Sequence, residues 1–362
     1  MYKWVCSFYM SFTIIGFRWT NLDTQRITRL MIDTAVSRGI RDMSDNPKRS
    51  IRKLADLGKQ FSTGRFQREI IDIIQGLLEN DNSPYYSLIE DFLTHTDHAT
   101  IRRFGINMGY TSWTYGARVL RTKSEELHVS LPWLLIFHYA PDNSDPHGMT
   151  TENIRKIIAQ AKPLGINSFC FFQKGGVIAS NDLISIFREN EECGFFYFLT
   201  QAQVTAAQAS AFKSCGNVML SIDIDAPESY DTCMGLRDSH LLYGIHHFYS
   251  DSDWGTSEDC ENVKKYLSYN SSMIFLVQKN SCSKSAGDFA KRVRMEQKYP
   301  CFIWDLHADI REISRIICDN ETLIEFNSDG SIQTPSGSSL NVLSPDESLQ
   351  HVLTETMPVL NV

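Results

Sequence analysis

The segment Leu-Pro-Trp-Leu-Leu-Ile-Phe at residues 131–137 marks the point where the pattern of the sequence changes. Before it, from residue 23 to about residue 115, apolar residues recur at spacings of three and four with charged residues between them, which predicts several short amphipathic helices. After it, short apolar runs alternate with helical stretches, as is typical of parallel strands joined by crossover helices. The sequence therefore predicts an α/β fold in which a helical region precedes a parallel sheet.

Further apolar runs come after the first one, and together they number about six strand–helix units. They lie at residues 168–172, 195–199, 218–224, 273–277 and 301–306, with 241–249 as a candidate for one further strand. This number predicts a partial (β/α)6 TIM-like barrel.

The C-terminal region has a different pattern, because the tight-turn signal Ser328-Asp329-Gly330 stands between two short β-type runs and predicts a small hairpin. We divide the chain into an apolar extension at 1–22, a helical region at 23–128, the barrel at 129–312 and a C-terminal segment at 313–362.

The composition of the chain is that of a soluble globular protein. Of its 362 residues 42% are hydrophobic and 22% are charged, and the formal net charge is -8. A negative chain has no overall positive field with which to hold a phosphate backbone, so we expect no nucleic-acid partner. The mostly apolar run in residues 1–17 is too short to span a bilayer, and we expect no stable membrane span and a cytoplasmic location.

The nine cysteines are widely spaced, with no two closer than seventeen residues. A local metal knuckle or cluster loop places at least two thiolates within a few residues of each other, so this spacing argues against one. Mostly buried free thiols in a reducing cytosol are the expected state.

The order of elements resembles the radical S-adenosylmethionine family, whose members carry a helical leader, a partial barrel and a C-terminal SPASM-type segment. The resemblance rests on residues 102–107 with the Pro-Trp strand at 131–136, on residues 161–166 with 171–176, and on Cys318 with 326–332, within a span of roughly 24 to 350. It implies a barrel of the radical S-adenosylmethionine type, with S-adenosylmethionine and a four-iron four-sulfur cluster as cofactors.

Three parts of the family's machinery are missing from this sequence. The segment at 138–148, where the family has its CxxxCxxC loop, contains no cysteine, and Val177 and Ile178 stand where the family has Glu and Pro after Gly-Gly. Of the SPASM thiolates only Cys318 can be placed, since the next expected position falls near Pro335. We therefore predict no cofactor and no metal, and we expect a pseudoenzyme rather than a working radical enzyme.

Polar residues at the strand ends are the candidate ligand-binding residues, because ligands in parallel β/α folds bind at the carboxyl ends of the strands. They are His138, Lys174, Gly175, Gly176, Gln201, Asp223, Asp225, Gln278, Asp305 and His307. Period-two alternation places Asp223 with Asp225 on one face, and Asp305 with His307 likewise. Strand ends turn polar in any such fold, so a purely structural role is the favoured interpretation, and the glycine pair is first of all a tight turn.

The sequence leaves three hypotheses for function. The leading one is a non-catalytic barrel that binds a peptide or partners an intact radical S-adenosylmethionine enzyme. The basic and aromatic residues at 102–123 could dock an acidic or leader-like peptide, but a solvated helix face with buried aromatic rings is the favoured interpretation. The second is an enzyme with altered acid–base or metal-dependent chemistry at the strand ends. The third, a cluster held by scattered cysteines such as Cys170, Cys193 and Cys318, is the least favoured. Adjacent His246 and His247 should point to opposite faces and not share one ion.

Overall fold

In the computed structural model, the described residues are 21–42, 47–61, 72, 75–76, 78–141, 148–173, 181–200, 204–250, 259–279, 285–334, 337 and 348–360. The helices are α1 Asn21–Asp42, α2 Pro47–Phe61, α3 Pro84–His95, α4 His98–Ile106, a π-helix Asn107–Gly116, α5 Ala117–Leu127, α6 Thr151–Ala161, α7 Asn181–Glu189, α8 Ala206–Cys215, α9 Ser229–Asp238, α10 Asp259–Leu267, α11 Ser285–Met295, α12 Leu306–Cys318 and α13 Leu349–Thr356. The strands are β1 Leu134–Tyr139, β2 Ser168–Gln173, β3 Gly194–Leu199, β4 Val218–Asp223, β5 Tyr243–Tyr249, β6 Met273–Gln278, β7 Phe302–Asp305, β8 Glu325–Phe326 and β9 Ile332–Gln333.

One nine-stranded sheet organises the molecule, with the spatial order β7-β6-β5-β4-β3-β2-β1-β8-β9. Strands β1 to β7 follow one another in space as in sequence, and all are parallel. His307, just after β7, lies 3.3 Å from Glu325 on β8, so the sheet is curled until its two sides approach each other. The partial barrel expected from the sequence is confirmed, with residues 243–249 as a full strand and therefore seven parallel strands before the tail rather than six.

The two faces of the sheet have different roles. On the outer face, Phe137 stacks on Phe171 with ring centroids 5.0 Å apart, and Phe171 meets Phe187 of α7 edge-on at 5.6 Å. These rings form the hydrophobic core between the sheet and its crossover helices. By period-two alternation, the opposite set of side chains faces the inside of the barrel.

The N-terminal helices lie at the amino ends of the strands. Arg103 of α4 donates to the Cys215 carbonyl, and Asn107 of the π-helix donates to the carbonyls of Glu191 and Cys193, just before β3. Arg237 at the end of α9 forms an ion pair with Asp91 of α3. These contacts leave the carboxyl ends of the strands as the mouth of the barrel.

The tail hairpin forms as predicted, and it also extends the sheet. Strands β8 and β9 pair antiparallel, and β8 pairs parallel with β1, with Glu325 beside Ile136 and Phe326 beside Phe137. The stack of Phe326 on Phe137, with centroids 5.3 Å apart, fixes this register in the core. No described helix combines the length and the apolar character needed to cross a membrane.

Candidate functional site

A buried carboxylate held between two histidines lies inside the barrel. His138 Nε2 on β1 is 2.6 Å from Glu325 Oε2, and His307 Nε2 in the first turn of α12 is 3.3 Å from Glu325 Oε1. The three side chains are only 15%, 12% and 11% exposed for His138, His307 and Glu325. We call these residues the His–Glu–His cluster; it joins the first strand, the tail strand and the helix that follows β7.

Electrostatics fix the protons in this cluster. Burial raises the pKa of the Glu325 carboxyl, but hydrogen bonds from His138 and His307 outweigh burial and hold this pKa well below its ordinary value. An ionised carboxylate can only accept, so His138 donates from Nε2, whereas His307 Nε2 lies at ion-pair distance. In a neutral ring the proton is then absent from Nδ1, which becomes a hydrogen-bond acceptor.

The Nδ1 atoms of both histidines are buried and have no hydrogen-bond partner within the described part of the chain. Leaving a buried polar atom unpaired costs about 1–3 kcal/mol, so two such atoms on one cluster call for an explanation. A second shared property is that a carboxylate orients both rings, which is how proteins position histidines that contact a ligand or a reacting proton.

The inner face of the strands is acidic and aromatic. The registers of β1 to β8 place Asp223 and Glu325 on this face, together with His138 and His246, and no described inward-facing strand residue is a lysine or arginine. The inward-facing aromatic residues are Phe172, Phe196, Phe198, Phe248, Phe275, Phe302 and Trp304.

These rings form a continuous wall next to the cluster. The His138 ring stacks on Phe172 with centroids 5.2 Å apart, and Phe172 stacks on Phe198 at 4.5 Å. Phe198 meets Phe275 at 5.2 Å, and Phe275 lies 6.5 Å from Trp304, whose buried Nε1 has no partner among the described residues.

His246 is a further buried polar group on the same face. It is fully buried, and its Nδ1 lies 3.0 Å from Ser221 Oγ, whereas its Nε2 has no partner among the residues that the structure describes. Burial, with the neighbouring His247, lowers the pKa of His246 to about 3, so the ring is neutral. His247 instead turns to the helices and contacts the Tyr266 hydroxyl, as expected from strand alternation.

The predicted pairing of Asp223 with Asp225 is wrong. Strand β4 ends at Asp223, and the chain then turns, so that Asp223 accepts the backbone N–H of Asp225. Asp225 points outward and forms ion pairs with Lys265 and His247. Burial raises the pKa of Asp223, which stays on the inner face.

The predicted pairing of Asp305 with His307 is wrong for a similar reason. A helix begins at Leu306, so strand alternation does not continue past Asp305. Asp305 caps this helix by accepting from the Ala308 N–H, and it also accepts from the Tyr249 hydroxyl at 2.5 Å. In the sheet, Asp305 pairs with Leu276 and Gln278 pairs with Tyr249. Both Asp305 and Gln278 therefore lie on the outer face, away from the cluster.

The candidates Lys174, Gly175, Gly176 and Gln201 lie outside the described residues, as do Val177, Ile178 and Pro335. Of the ten candidates, His138 and His307 are therefore brought together, and Asp223 shares their face. Glu325, the residue that joins them, was assigned only to the tail hairpin by the sequence. The sequence signal for Glu325 is a carboxylate within the short apolar run Leu323-Ile324-Glu325-Phe326, because a charge on a buried strand requires a partner.

Comparisons with known proteins give distant structural matches. No protein-family model and no curated protein matches the chain. SuiB of Streptococcus suis bound to the precursor peptide SuiA is 12% identical, with 67% of this chain and 69% of that chain covered at a TM-score of 0.47. The native anSMEcpe with bound AdoMet is 11% identical, with 61% and 80% covered at 0.38, and methylornithine synthase is 11% identical, with 72% and 90% covered at 0.36. Likenesses at this level say nothing of activity, which has to be argued from this chain's own residues.

Cys170, Cys193 and Cys318, the cysteines considered as cluster ligands, lie apart from one another. Cys170 lies in the middle of β2, whereas Cys193 precedes β3 and Cys318 contacts the Leu131 carbonyl, both at the amino ends of the strands. Burial raises the pKa of Cys193 and Cys318 to about 12, and burial with the charge of Glu325 raises the pKa of Cys170 well above its ordinary value. Cluster ligands must converge on one point, which these three positions on different parts of the strands do not do. Among described residues, no three His, Cys, Asp or Glu side chains are arranged to hold a metal ion.

The basic residues at 102–123 are largely engaged within the protein. Arg102 forms an ion pair with Asp33, Arg103 donates to the Cys215 carbonyl, and Lys123 pairs with Glu126. Arg118 lies over the Tyr115 ring. This surface is therefore a weaker candidate for peptide docking than the inside of the barrel.

Proposed function

We propose that this chain is a binding barrel that has kept the scaffold of the radical S-adenosylmethionine family without its radical chemistry. The observation that carries the proposal is the His–Glu–His cluster, in which one carboxylate orients two histidines and leaves both Nδ1 atoms without a partner in the described part of the chain. Buried polar atoms without a protein partner are satisfied by ordered water or by a ligand, and the proposal assigns them to a ligand.

The lack of a cluster motif supports the non-catalytic half of the proposal. Segment 138–148 has no cysteine, and the described thiols are buried, scattered and of raised pKa. The ligand of a barrel of this kind is a small molecule, a side chain of a peptide, or a segment of a partner enzyme.

A second candidate is an enzyme that uses acid–base chemistry at the same place. The observation that favours it is the orientation of His138 and His307 by a carboxylate, since a ring that donates from Nε2 is held ready to accept a proton at Nδ1. This candidate also needs no iron–sulfur cluster.

Anaerobic iron–sulfur reconstitution of the full chain, followed by iron and sulfide analysis and visible absorption, tests both candidates against the radical alternative. We expect iron far below one atom per chain after desalting. About four irons per chain with the matching absorption would overturn the proposal, because a four-iron cluster requires that content. Stoichiometric zinc or manganese that is lost in His307→Ala would instead favour the enzyme over the binding protein.

A further inference from the structure

We infer that the ligand of the barrel is an organic cation with N–H donors, such as a primary ammonium or guanidinium group on a small molecule or a peptide side chain. This inference rests on the proposed function and adds the charge and the donor pattern of the ligand.

The charge on the inner face is the first argument. The strand residues that face inward carry carboxyl groups at Asp223 and Glu325, and none of those described is a lysine or arginine. The pKa of Glu325 is held well below its ordinary value, so this carboxyl group is ionised at neutral pH. Carboxyl groups on a strand face without a described lysine or arginine favour ligands of the opposite charge, so we expect this face to prefer cations to carboxylates and phosphates.

The aromatic wall is the second argument. The rings from Phe172 to Trp304 lie beside the acids rather than apart from them, with His138 stacked directly on Phe172. Phe248 and Trp304 are partly exposed. Aromatic faces attract ammonium and guanidinium groups, and desolvation strengthens that attraction.

The hydrogen-bond pattern is the third argument. His138 Nε2 makes a hydrogen bond with Glu325 and His307 Nε2 lies 3.3 Å from it, so in neutral rings with the proton on Nε2 the two buried Nδ1 atoms are acceptors. The fully buried ring of His246 adds a nitrogen without a partner in the described structure, and it is a further acceptor when Nδ1 donates to Ser221. A group that brings several N–H donors satisfies such acceptors, whereas a carboxylate, an ether or a thioether does not.

Matched ligands of one length separate charge from shape. Isothermal titration calorimetry of the full chain would compare cadaverine, pentanediol and glutarate, which carry amines, hydroxyls and carboxylates on the same carbon chain. We expect cadaverine to bind, pentanediol to bind at least tenfold more weakly because it lacks the charge, and glutarate not to bind. Raising the salt concentration should weaken the binding of cadaverine alone.

Two variants locate the binding site. Glu325→Gln keeps the shape of the side chain and removes its charge, and we expect about tenfold weaker cadaverine binding. Asp225→Asn is the control, because Asp225 is an outward acid in ion pairs with Lys265 and His247, and it should bind as the unaltered chain does.

Three results would overturn the inference. They are glutarate or pentanediol binding as tightly as cadaverine, no binding of cadaverine at millimolar concentration, and equal loss in Glu325→Gln and Asp225→Asn. The wild-type comparison does not depend on any variant folding. If glutarate binds and Glu325→Gln changes its affinity, the inferred cationic ligand is wrong but the proposed binding function is not contradicted. A reconstituted four-iron cluster would contradict the proposed function itself.

Discussion

Glu325 is the residue on which the inner face of the barrel depends. It is a carboxylate on a buried strand, and its two oxygens meet histidines from opposite sides of the curled sheet. A buried ion that loses a partner is costly, because the remaining groups stay away from water. The cluster therefore links the stability of the barrel to the same residue that we assign to ligand binding.

The decrease in folding stability at low pH should depend on Glu325. Its pKa is lowered in the folded chain, so it contributes stability above the unfolded pKa of about 4.3, and this contribution is lost as the pH falls toward the folded pKa. Glu325→Gln should lower the free energy of unfolding by about 1–3 kcal/mol at neutral pH, and it should make that free energy fall less steeply with pH below about 4. Urea unfolding at several pH values measures both effects.

Glu321→Gln is the matched control for this measurement, since Glu321 is exposed four residues earlier. Its free energy of unfolding should stay within about 0.5 kcal/mol of that of the unaltered chain at each pH. An acid limb that is equally steep in Glu325→Gln and in the unaltered chain would contradict the buried, ionised carboxylate.

Single residues show what the sequence could predict. His138 and His307 were identified because they follow apolar strand runs, and strand ends gather at one mouth. Their partner Glu325 was missed because pairing between distant segments of a sheet leaves no local pattern. The pairs Asp223 with Asp225 and Asp305 with His307 failed because a turn and a helix begin where alternation was extended by two residues.

At the scale of elements, the tail hairpin is the piece that completes the site. Local turn chemistry predicted the hairpin, but its docking as a parallel neighbour of β1 depends on the burial of Phe326 against Phe137. Without this register, Glu325 would not lie within reach of His138.

Phe326→Ala should therefore loosen the tail and the cluster together. Phe326 is fully buried, and deletion of a buried phenyl ring costs about 3–5 kcal/mol. Gln333→Ala on the exposed side of β9 should cost less than about 0.5 kcal/mol. Denaturant unfolding of both variants tests this difference, and a loss of the same size in both would show that β8 does not dock as described.

The junction between the π-helix and the entry to β2 is a second element with a defined requirement. A Cβ on Gly116 would lie 2.6 Å from the Gly165 carbonyl oxygen, and Gly165 itself has a φ of +92°. The same Cβ would lie 2.7 Å from the Thr111 carbonyl oxygen, and both oxygens are backbone atoms, which cannot swing aside.

Gly116→Ala should thus destabilise the chain by about 1–3 kcal/mol, as overpacking does. Gly105→Ala in α4 is the control, because no heavy atom lies within 4 Å of its added Cβ, and it should stabilise by up to about 1 kcal/mol through helix propensity. Thermal unfolding of the two variants compares them, and a shift of the same sign in both would argue against the close backbone approach.

At the scale of the whole molecule, the order of the strands was the most predictable feature. Alternating apolar runs and amphipathic helices specify parallel pairing between neighbours, and β1 to β7 follow that rule. The degree of curl was not predictable, because it arises from the summed twist of all strands and from α12 bringing the chain back from β7 to β8. That curl is what carries His307 to Glu325.

The molecule as a whole thus combines a barrel scaffold with an inner face of carboxylates, imidazoles and aromatic rings. The described thiols are buried, scattered and of raised pKa, whereas the histidines are oriented by a carboxylate. This contrast is why we assign the barrel to binding rather than to cluster chemistry.

The most direct measurement is the nitrogen-15 spectrum of the histidine rings in the full chain, at a pH at which the rings are neutral. We predict that His138 and His307, assigned by His138→Gln and His307→Gln, carry their proton on Nε2 and show a bare Nδ1 whose shift moves when cadaverine is added. Rings protonated on Nδ1, or exchanging freely between the two tautomers as exposed imidazoles do, would contradict the His–Glu–His cluster as the binding centre of the barrel.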